Sequence, residues 1–161
     1  MSKKYKNIFY FKNINSIGGV ESFFYYMIRK YEDYDITIFY KTADLKQLMR
    51  LRKYARCVQF NGQEIVCEKA FFNYGAGIID YVKANEYIQI VHTDYSQSRT
   101  SIKLNPKIDR YIGVSQTVCN SFKELTGIDC ELCYNPLFID KPRKILNLIS
   151  ATRLTPEKRK G

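Results

Sequence analysis

The chain contains no tryptophan, one histidine and four prolines among its 161 residues. With His92 as the single imidazole and no cluster of carboxylates, the sequence predicts no metal site. No apolar run approaches the ~20 residues that a helix needs to span a bilayer. The basic start leads directly into a short strand pattern, so no signal peptide is predicted. We therefore expect a cytoplasmic protein that needs no metal or other cofactor.

The five cysteines are an odd number and fall mostly in apolar segments, which favours reduced, buried thiols over a disulfide framework. Cys130 and Cys133 form a C-x-x-C pair inside a strand-like run. No second cysteine pair and no neighbouring histidine accompany this pair. A zinc or redox role for it is therefore disfavoured.

The net charge of +10 is spread unevenly. Residues 1–60 carry 12 Lys/Arg and 5 Asp/Glu, residues 61–140 carry 7 and 10, and residues 141–161 carry 7 and 1. Two cationic ends predict anionic partners: nucleotide-sugar phosphates, a lipid pyrophosphate or a membrane surface. Nucleic acid is disfavoured because no recognised binding motif accompanies the charge. The basic segment 41–56 fits two interpretations equally, contact with anionic lipid or a helix that faces solvent.

Short apolar runs alternate with segments whose apolar residues recur at helical spacing. This alternation predicts an α/β fold, a Rossmann-like and mostly parallel sheet with helices on both faces. The expected strands include Lys69–Asn73, Tyr87–Val91 and Cys130–Tyr134. In the helix expected over 43–54, one apolar side must cover the sheet, and it is formed by Leu45, Leu48 and Met49, with Ala55 beyond them.

Composition divides the chain into three regions. Residues 1–136 form one predicted domain, which Asn135-Pro136 closes because proline interrupts a strand. Residues 137–144 are the predicted linker. The apolar run Ile145–Ala151 and the basic loop after it are typical of the first strand of a second α/β domain, so residues 145–161 are expected to be the truncated start of that domain.

In open parallel sheets, ligands bind beyond the carboxyl ends of the strands. Gly18-Gly19, His92 and Ser115 each follow a predicted strand. Ser115 is also the predicted N-cap of the next helix, and Gly127 is placed to end that helix. The glycines let a ligand approach the backbone and leave helix N–H groups free for an anion, although the pair also fits a plain tight turn. His92 is placed to hydrogen-bond a ligand, although a structural hydrogen bond is the alternative. Neither G-x-G-x-x-G nor a P-loop is present, which disfavours dinucleotide and P-loop chemistry.

Five segments match one known pattern together. They are Gly18-Gly19-Val20-Glu21 opening a helix, His92 after a strand, Gly113-Val114-Ser115 opening another helix, Asn135-Pro136 closing the domain, and Arg153-Leu154-Thr155-Pro156-Glu157-Lys158. In this order they resemble the retaining GT-B glycosyltransferases of family 4 over the whole chain. Residues 69–73, 87–95 and 106–115 are similar to enzymes that assemble bacterial capsular polysaccharides or exopolysaccharides.

The resemblance implies two Rossmann-like domains that face each other across a cleft, with the acceptor on the N-terminal domain and the nucleotide-sugar on the C-terminal one. By position, Gly18 and Gly19 would bring backbone N–H groups to the donor phosphates or the acceptor, and Glu21 would order that loop. His92 would touch the transferred sugar or the acceptor, the catalytic position. No bound metal is implied.

The resemblance also places the donor diphosphate on Arg153 and Lys158. In the family a Lys-Gly pair follows the Glu directly, whereas two extra residues intervene here, so Lys160 is the alternative phosphate ligand. Nearly all of the donor-binding domain is missing from these 161 residues. We therefore expect the chain alone to be inactive as a hexosyltransferase and still able to bind acceptor.

The expected partners are a nucleotide-sugar donor, a glycan or lipid-linked acceptor, and an anionic membrane surface at which the protein is peripheral. A non-enzymatic basic module that binds carbohydrate, nucleotide or nucleic acid is the alternative function. A nucleic-acid binder would show affinity that falls steeply with salt and would use exposed aromatic side chains.

Overall fold

The computed structural model describes residues 4–15, 18–73, 77–97, 102 and 104–136. The predicted linker at 137–144 and the predicted second-domain start at 145–161 lie outside these residues. The three predicted phosphate ligands Arg153, Lys158 and Lys160 lie outside them as well.

Seven parallel strands form one sheet in the order β3-β2-β1-β4-β5-β6-β7. The strands are β1 (Lys4–Ile14), β2 (Ile36–Ala43), β3 (Arg56–Gln59), β4 (Ile65–Asn73), β5 (Val82–Val91), β6 (Arg110–Gly113) and β7 (Glu131–Leu132). The α-helices are α1 (Gly19–Lys30), α2 (Leu45–Leu51) and α3 (Gln116–Thr126), and short 3-10 helices cover Glu32–Tyr34, Ile79–Tyr81 and Tyr95–Gln97. The predicted α/β fold with a parallel sheet is confirmed.

Alternate strand residues point to opposite faces of the sheet, and each face has its own core. On the first face, α1 and α2 pack against β1 and β2, with these side chains buried together: Phe9, Phe11, Phe24, Ile28, Ile38, Leu48 and Leu51. On the second face, Tyr10, Phe39 and Phe72 pack against the loop residue Phe60 and the 3-10 helix at Ile79. Further along that face, α3 packs Val118 and Phe122 against Tyr111 and Val91. Helices therefore cover both faces, as predicted.

The two ends of α3 show the capping that the sequence indicates. The hydroxyl of Ser115 accepts a hydrogen bond from the Val118 N–H at 3.2 Å. Gly127 ends the helix with φ of 73°, a conformation that favours glycine, and its N–H donates to the Lys123 carbonyl at 2.8 Å. Both predicted caps are confirmed.

The predicted inner face of α2 is wrong at two positions. Leu48 and Leu51 are buried, whereas Leu45 is 69% exposed and Met49 is 56% exposed. The helix begins after Asp44, whose carboxylate accepts the Gln47 N–H at 3.0 Å, and it ends after seven residues. Because positions 48 and 51 are three apart, they share the face that lies on the sheet, and positions 45 and 49 turn outward.

Of the three strands whose predicted bounds are given above, two are longer than predicted and one is shorter. β4 starts at Ile65 and β5 starts at Val82, whereas β7 has two residues. The first half of β5 was not predicted because its charged residues interrupt the apolar pattern of a strand. Glu86 of β5 pairs with Lys69 of β4 at 2.8 Å and with Arg110 of β6 at 2.6 Å, and these two cations lower the pKa of its carboxyl. Pairing across strands therefore supports a polar strand segment that propensity alone disfavours.

The cysteines are free, as predicted, and Cys67 and Cys119 are buried. Burial raises the pKa of Cys67 and of Cys130 to about 12, so both remain thiols near neutral pH. Within the described ranges, no group of three or more His, Cys, Asp and Glu side chains is arranged to hold a metal ion. None of the helices described is long and apolar enough to cross a membrane.

Candidate ligand site at the carboxyl edge of the sheet

The strand order reverses direction between β1 and β4. From β1 the chain proceeds outward to β2 and β3, and it then returns to place β4 on the other side of β1. At such a point the connections leave the two strands on opposite faces, which opens a crevice at their carboxyl ends. The segment after β1 and the end of β4 therefore border the position where a ligand is expected in this type of sheet.

The glycine pair forms the start of α1 beside this position. Gly18 is the residue before the helix and has extended backbone angles (φ −140°, ψ −180°), and Gly19 is the first helical residue. Neither has the positive φ that would require glycine, so a strained turn does not account for the pair. A Cβ built on Gly19 meets no atom within 4 Å. Gly19 is therefore exposed, and none of the described residues occupies the position of its missing side chain.

Gly18 has no side chain with which to cap the start of α1, and no capping side chain is found in the described part of the chain. The early N–H groups of a helix have no partner within the helix, so they are available as donors at this edge. Glu21 lies in the first turn and is partly exposed. Its carboxylate suits the positive end of the helix dipole, and it also opposes a second anion at the same place.

His92 follows β5 directly and packs against α1. Its ring lies edge-on to Phe23, with ring centroids 5.1 Å apart, and tilted against Phe24 at 5.6 Å. Phe24 in turn contacts Phe11 of β1 at 4.1 Å, which holds the imidazole on the first face of the sheet. Burial lowers the pKa of His92 to about 4. The imidazole is therefore neutral near physiological pH.

The structure thus brings two of the predicted elements together, the glycine-led helix α1 and His92. The third strand-end residue, Ser115, does not join them. It follows β6 on the side where α3 packs over the second face, and its hydroxyl is engaged as the α3 cap. Ser115 has a structural role in the fold.

Asn73 is a candidate that the sequence analysis missed. It is the last residue of β4, paired in register with Ile90 of β5, and it lies two residues after Phe71, which stacks on Phe9 at 4.5 Å. By strand alternation it is on the first face, the face that holds His92. Its side-chain oxygen Oδ1 is buried and has no hydrogen-bond partner among the residues that the structure describes. Since buried acceptors are almost always satisfied, this oxygen marks a place where a donor from a ligand fits.

The electrostatics of this edge decide which ligand suits it. Glu21 is acidic, Asn73 is neutral, and His92 is uncharged near neutral pH. None of these three side chains is cationic near neutral pH, so the N–H groups of α1 are the counter-charge that these elements offer to a phosphate. A neutral, hydroxyl-rich molecule gains hydrogen bonds from the same groups without opposing charge. The three named side chains therefore offer hydrogen bonds to a ligand and no positive charge.

Comparison of the chain with protein-family models, with curated proteins and with solved structures finds no match.

Proposed function

We propose that this chain is the N-terminal, acceptor-side domain of a retaining glycosyltransferase of the GT-B type, related to family 4. The enzyme would transfer a sugar from a nucleotide-sugar to a glycan or lipid-linked acceptor in the synthesis of a bacterial surface polysaccharide. The observation that carries the proposal is that the start of α1, Asn73 and His92 lie at the carboxyl ends of the neighbouring strands β1, β4 and β5, beside the switch point of a parallel sheet. The order of sequence motifs supplies the reaction class.

In this reaction the bond between the anomeric carbon and the nucleotide diphosphate breaks, and an acceptor hydroxyl oxygen takes its place on that carbon. The diphosphate leaves with the bonding electrons, and the proton of the acceptor hydroxyl passes to a diphosphate oxygen, so that charge and atoms balance. The donor diphosphate would be held by Arg153 with Lys158 or Lys160, whose charges stabilise the leaving group. No metal is required for the roles assigned to these residues.

The described residues would bind and orient the acceptor. Asn73 Oδ1 would accept a hydrogen bond from a sugar hydroxyl, and the first N–H groups of α1 would donate to sugar oxygens. With a pKa near 4, His92 is a weak base, so it would orient a hydroxyl by hydrogen bonding. Glu21 would keep free phosphate away from the acceptor position.

Calorimetric titration of the chain tests this function. The probes are methyl glycosides of glucose, galactose and N-acetylglucosamine, a short-chain polyprenyl diphosphate that carries N-acetylglucosamine, and UDP and GDP. We expect at least one sugar-bearing probe to bind and the free nucleotides to bind more weakly. Nucleotides that bind more tightly than every sugar probe would favour a nucleotide-binding module instead.

One variant in the candidate site and one control variant outside it distinguish an effect on sugar binding from an effect on folding. Asn73→Val removes the unpartnered oxygen, so it should weaken sugar binding roughly tenfold while raising the free energy of unfolding by about 1 kcal/mol. Leu125→Gln changes an exposed residue of α3 and should leave sugar affinity unchanged. If Asn73→Val folds and binds the sugar as tightly as the parent chain, Asn73 is not part of the site.

A further inference from the structure

Two of the free cysteines lie close together where α3 packs over the end of the sheet. Cys119 is in the first half of α3 and is 7% exposed. Cys130 directly precedes β7 and is partly buried against the cluster that includes Val118 and Phe122 of the same helix. After α3 ends at Gly127, the chain returns to place β7 beside β6, the strand from which α3 starts. The fold therefore brings both thiols to one side of the sheet.

Gly113 of β6 gives the two side chains room to approach each other. A Cβ built at this position would overlap Cys119 Sγ, and it would lie 3.5 Å from the Cys130 Cβ. The two cysteines therefore border the same small space. The pairing of β6 with β7 fixes this arrangement, since Gly113 lies opposite Leu132 and its carbonyl accepts the Cys133 N–H at 2.9 Å.

The Cys130 thiol lies among neutral and acidic groups. Burial, and after it the neighbouring Cys119 thiol, raises the pKa of Cys130 to about 12. The other described titratable groups that interact with Cys130 are Asp129, Tyr95 and Tyr111, and none of these is a cation near neutral pH. Cys130 is therefore a thiol near neutral pH, and it reacts slowly because few molecules carry the thiolate.

Cys133 is the third cysteine of this region, and its sulfur is on the other face of the sheet. Glu131 pairs with Arg110 on the first face, so Cys133, two residues further along the strand, is on that face as well. Cys130 packs on the second face, beneath α3. The neighbouring thiols are therefore Cys119 and Cys130, and the C-x-x-C pair of the sequence is not the pair that lies together.

We propose that Cys119 and Cys130 form an oxidative modification site, at which hydrogen peroxide produces a disulfide between α3 and the residue before β7. The thiolate of the partly exposed Cys130 attacks one peroxide oxygen, which leaves a sulfenic acid on Cys130 and releases water once the proton is transferred. The Cys119 thiol then attacks that sulfur, and a second water leaves as the S–S bond forms. The two sulfurs lose two electrons together, and the peroxide takes these electrons and both thiol protons.

The disulfide would connect the last described strand of the sheet to the helix that covers it. It closes a loop over residues 120–129, which restricts the unfolded chain. We expect the midpoint of thermal unfolding to rise by roughly 5 °C on oxidation and to return to its first value when the bond is reduced. This modification does not depend on glycosyl transfer, so the proposed function can fail without affecting it.

Intact-mass spectrometry of the folded chain tests the proposal. The reduced protein is treated with hydrogen peroxide, the reaction is stopped, and the remaining thiols are alkylated with N-ethylmaleimide in denaturant. We expect three of the five cysteines to be alkylated and the other two to be joined, with a mass lower by two hydrogen atoms. The rate should rise roughly tenfold for each pH unit between about pH 7 and 9, because the thiolate fraction of a group with a raised pKa rises in this way.

Single variants identify the bond. Cys133→Ser should form it as readily as the parent chain, whereas Cys119→Ala and Cys130→Ser should form no bond within the chain. If either of these two variants does not fold, peptide mapping of oxidised Cys133→Ser locates the bond instead. A bond between Cys130 and Cys133, a bond between two chains, oxidation of Cys130 without any bond, or no reaction up to pH 9 overturns the proposal.

Discussion

His92 is the residue whose environment most constrains the chemistry of the site. It is partly buried beside Phe23 and Phe24, and burial lowers the pKa of its imidazole to about 4. A positively charged histidine would attract phosphate, whereas a neutral one exchanges hydrogen bonds with hydroxyl groups. The burial of one side chain thus removes a positive charge that a phosphate ligand would otherwise meet at this edge.

The same burial predicts how stability depends on pH. In the unfolded chain His92 should titrate near its ordinary pKa of about 6.5, and in the fold near 4, so between these values the unfolded state binds more protons. The free energy of unfolding should therefore fall as the pH is lowered from about 6.5, by roughly 2 kcal/mol at pH 5. Urea denaturation at a series of pH values measures this slope.

The variant His92→Phe tests whether His92 causes this pH dependence. His92 is the only histidine, and few other groups titrate between about pH 6.5 and 5. Its free energy of unfolding should be nearly constant between about pH 6.5 and 5. Below that interval both proteins should lose stability together as the ion-paired Glu86 and Glu131 are protonated, because arginine and lysine partners lower their pKa values. Parallel curves for the two proteins throughout would show that His92 is not buried as a neutral base.

Individual residues also show which parts of the candidate site could be predicted from the sequence. Gly18, Gly19 and His92 could be placed at one edge because parallel strands align their carboxyl ends. Asn73 was missed because its importance comes from the burial of Oδ1, which depends on the packing of β4 beside β5. An asparagine at the end of an apolar strand was the available signal, and it has many ordinary explanations.

At the scale of elements, β6 and α3 approach each other closely at Gly113. A Cβ built on Gly113 would overlap the sulfur of Cys119, and its next contacts are the Cys119 nitrogen at 3.4 Å and the Cys130 Cβ at 3.5 Å. Glycine is therefore required here by the packing of a helix on a strand. From the sequence alone, Gly113 was predicted only to belong to the segment at the start of α3.

We expect Gly113→Ala to lower the free energy of unfolding by about 1–3 kcal/mol, since the added methyl group must displace a buried side chain. Adding Cys119→Ala removes the overlapping sulfur, after which the remaining contacts are ordinary. The double variant should then be more stable than the sum of the two single effects predicts. Chemical denaturation of the four proteins in a double-mutant cycle measures this coupling, and strict additivity would contradict the close approach.

Helices and strands were predicted correctly where the residues that determine them are close together in the sequence. The caps of α3 depend on residues within the helix ends, and both were identified correctly. The orientation of α2 was predicted less well. Its four apolar residues are compatible with more than one buried face, and the packing against β1 and β2 determines which face is buried. The first half of β5 was missed because its stability includes ion pairs to two other strands.

At the scale of the whole molecule, strand order determines what the fold can do. The alternation of strands and helices predicted a parallel sheet, but it did not indicate that β4 would lie beside β1. That placement creates the switch point, and it puts the start of α1, Asn73 and His92 at the same edge of the sheet. Away from this edge, the same face carries the ion pair between Glu86 and Arg110. Charged side chains of this kind are compatible with contact with solvent.

The most direct test locates the sugar on the molecule. Isotope-labelled chain is titrated with the sugar probe that binds best in calorimetry, and the shifts of backbone and side-chain amide signals are followed by NMR. We expect the largest changes at Gly18–Glu21, at the side-chain amide of Asn73 and at His92. Changes that centre instead on the charged residues around Arg110, with these positions unaffected, would contradict an acceptor site at the carboxyl edge of the sheet.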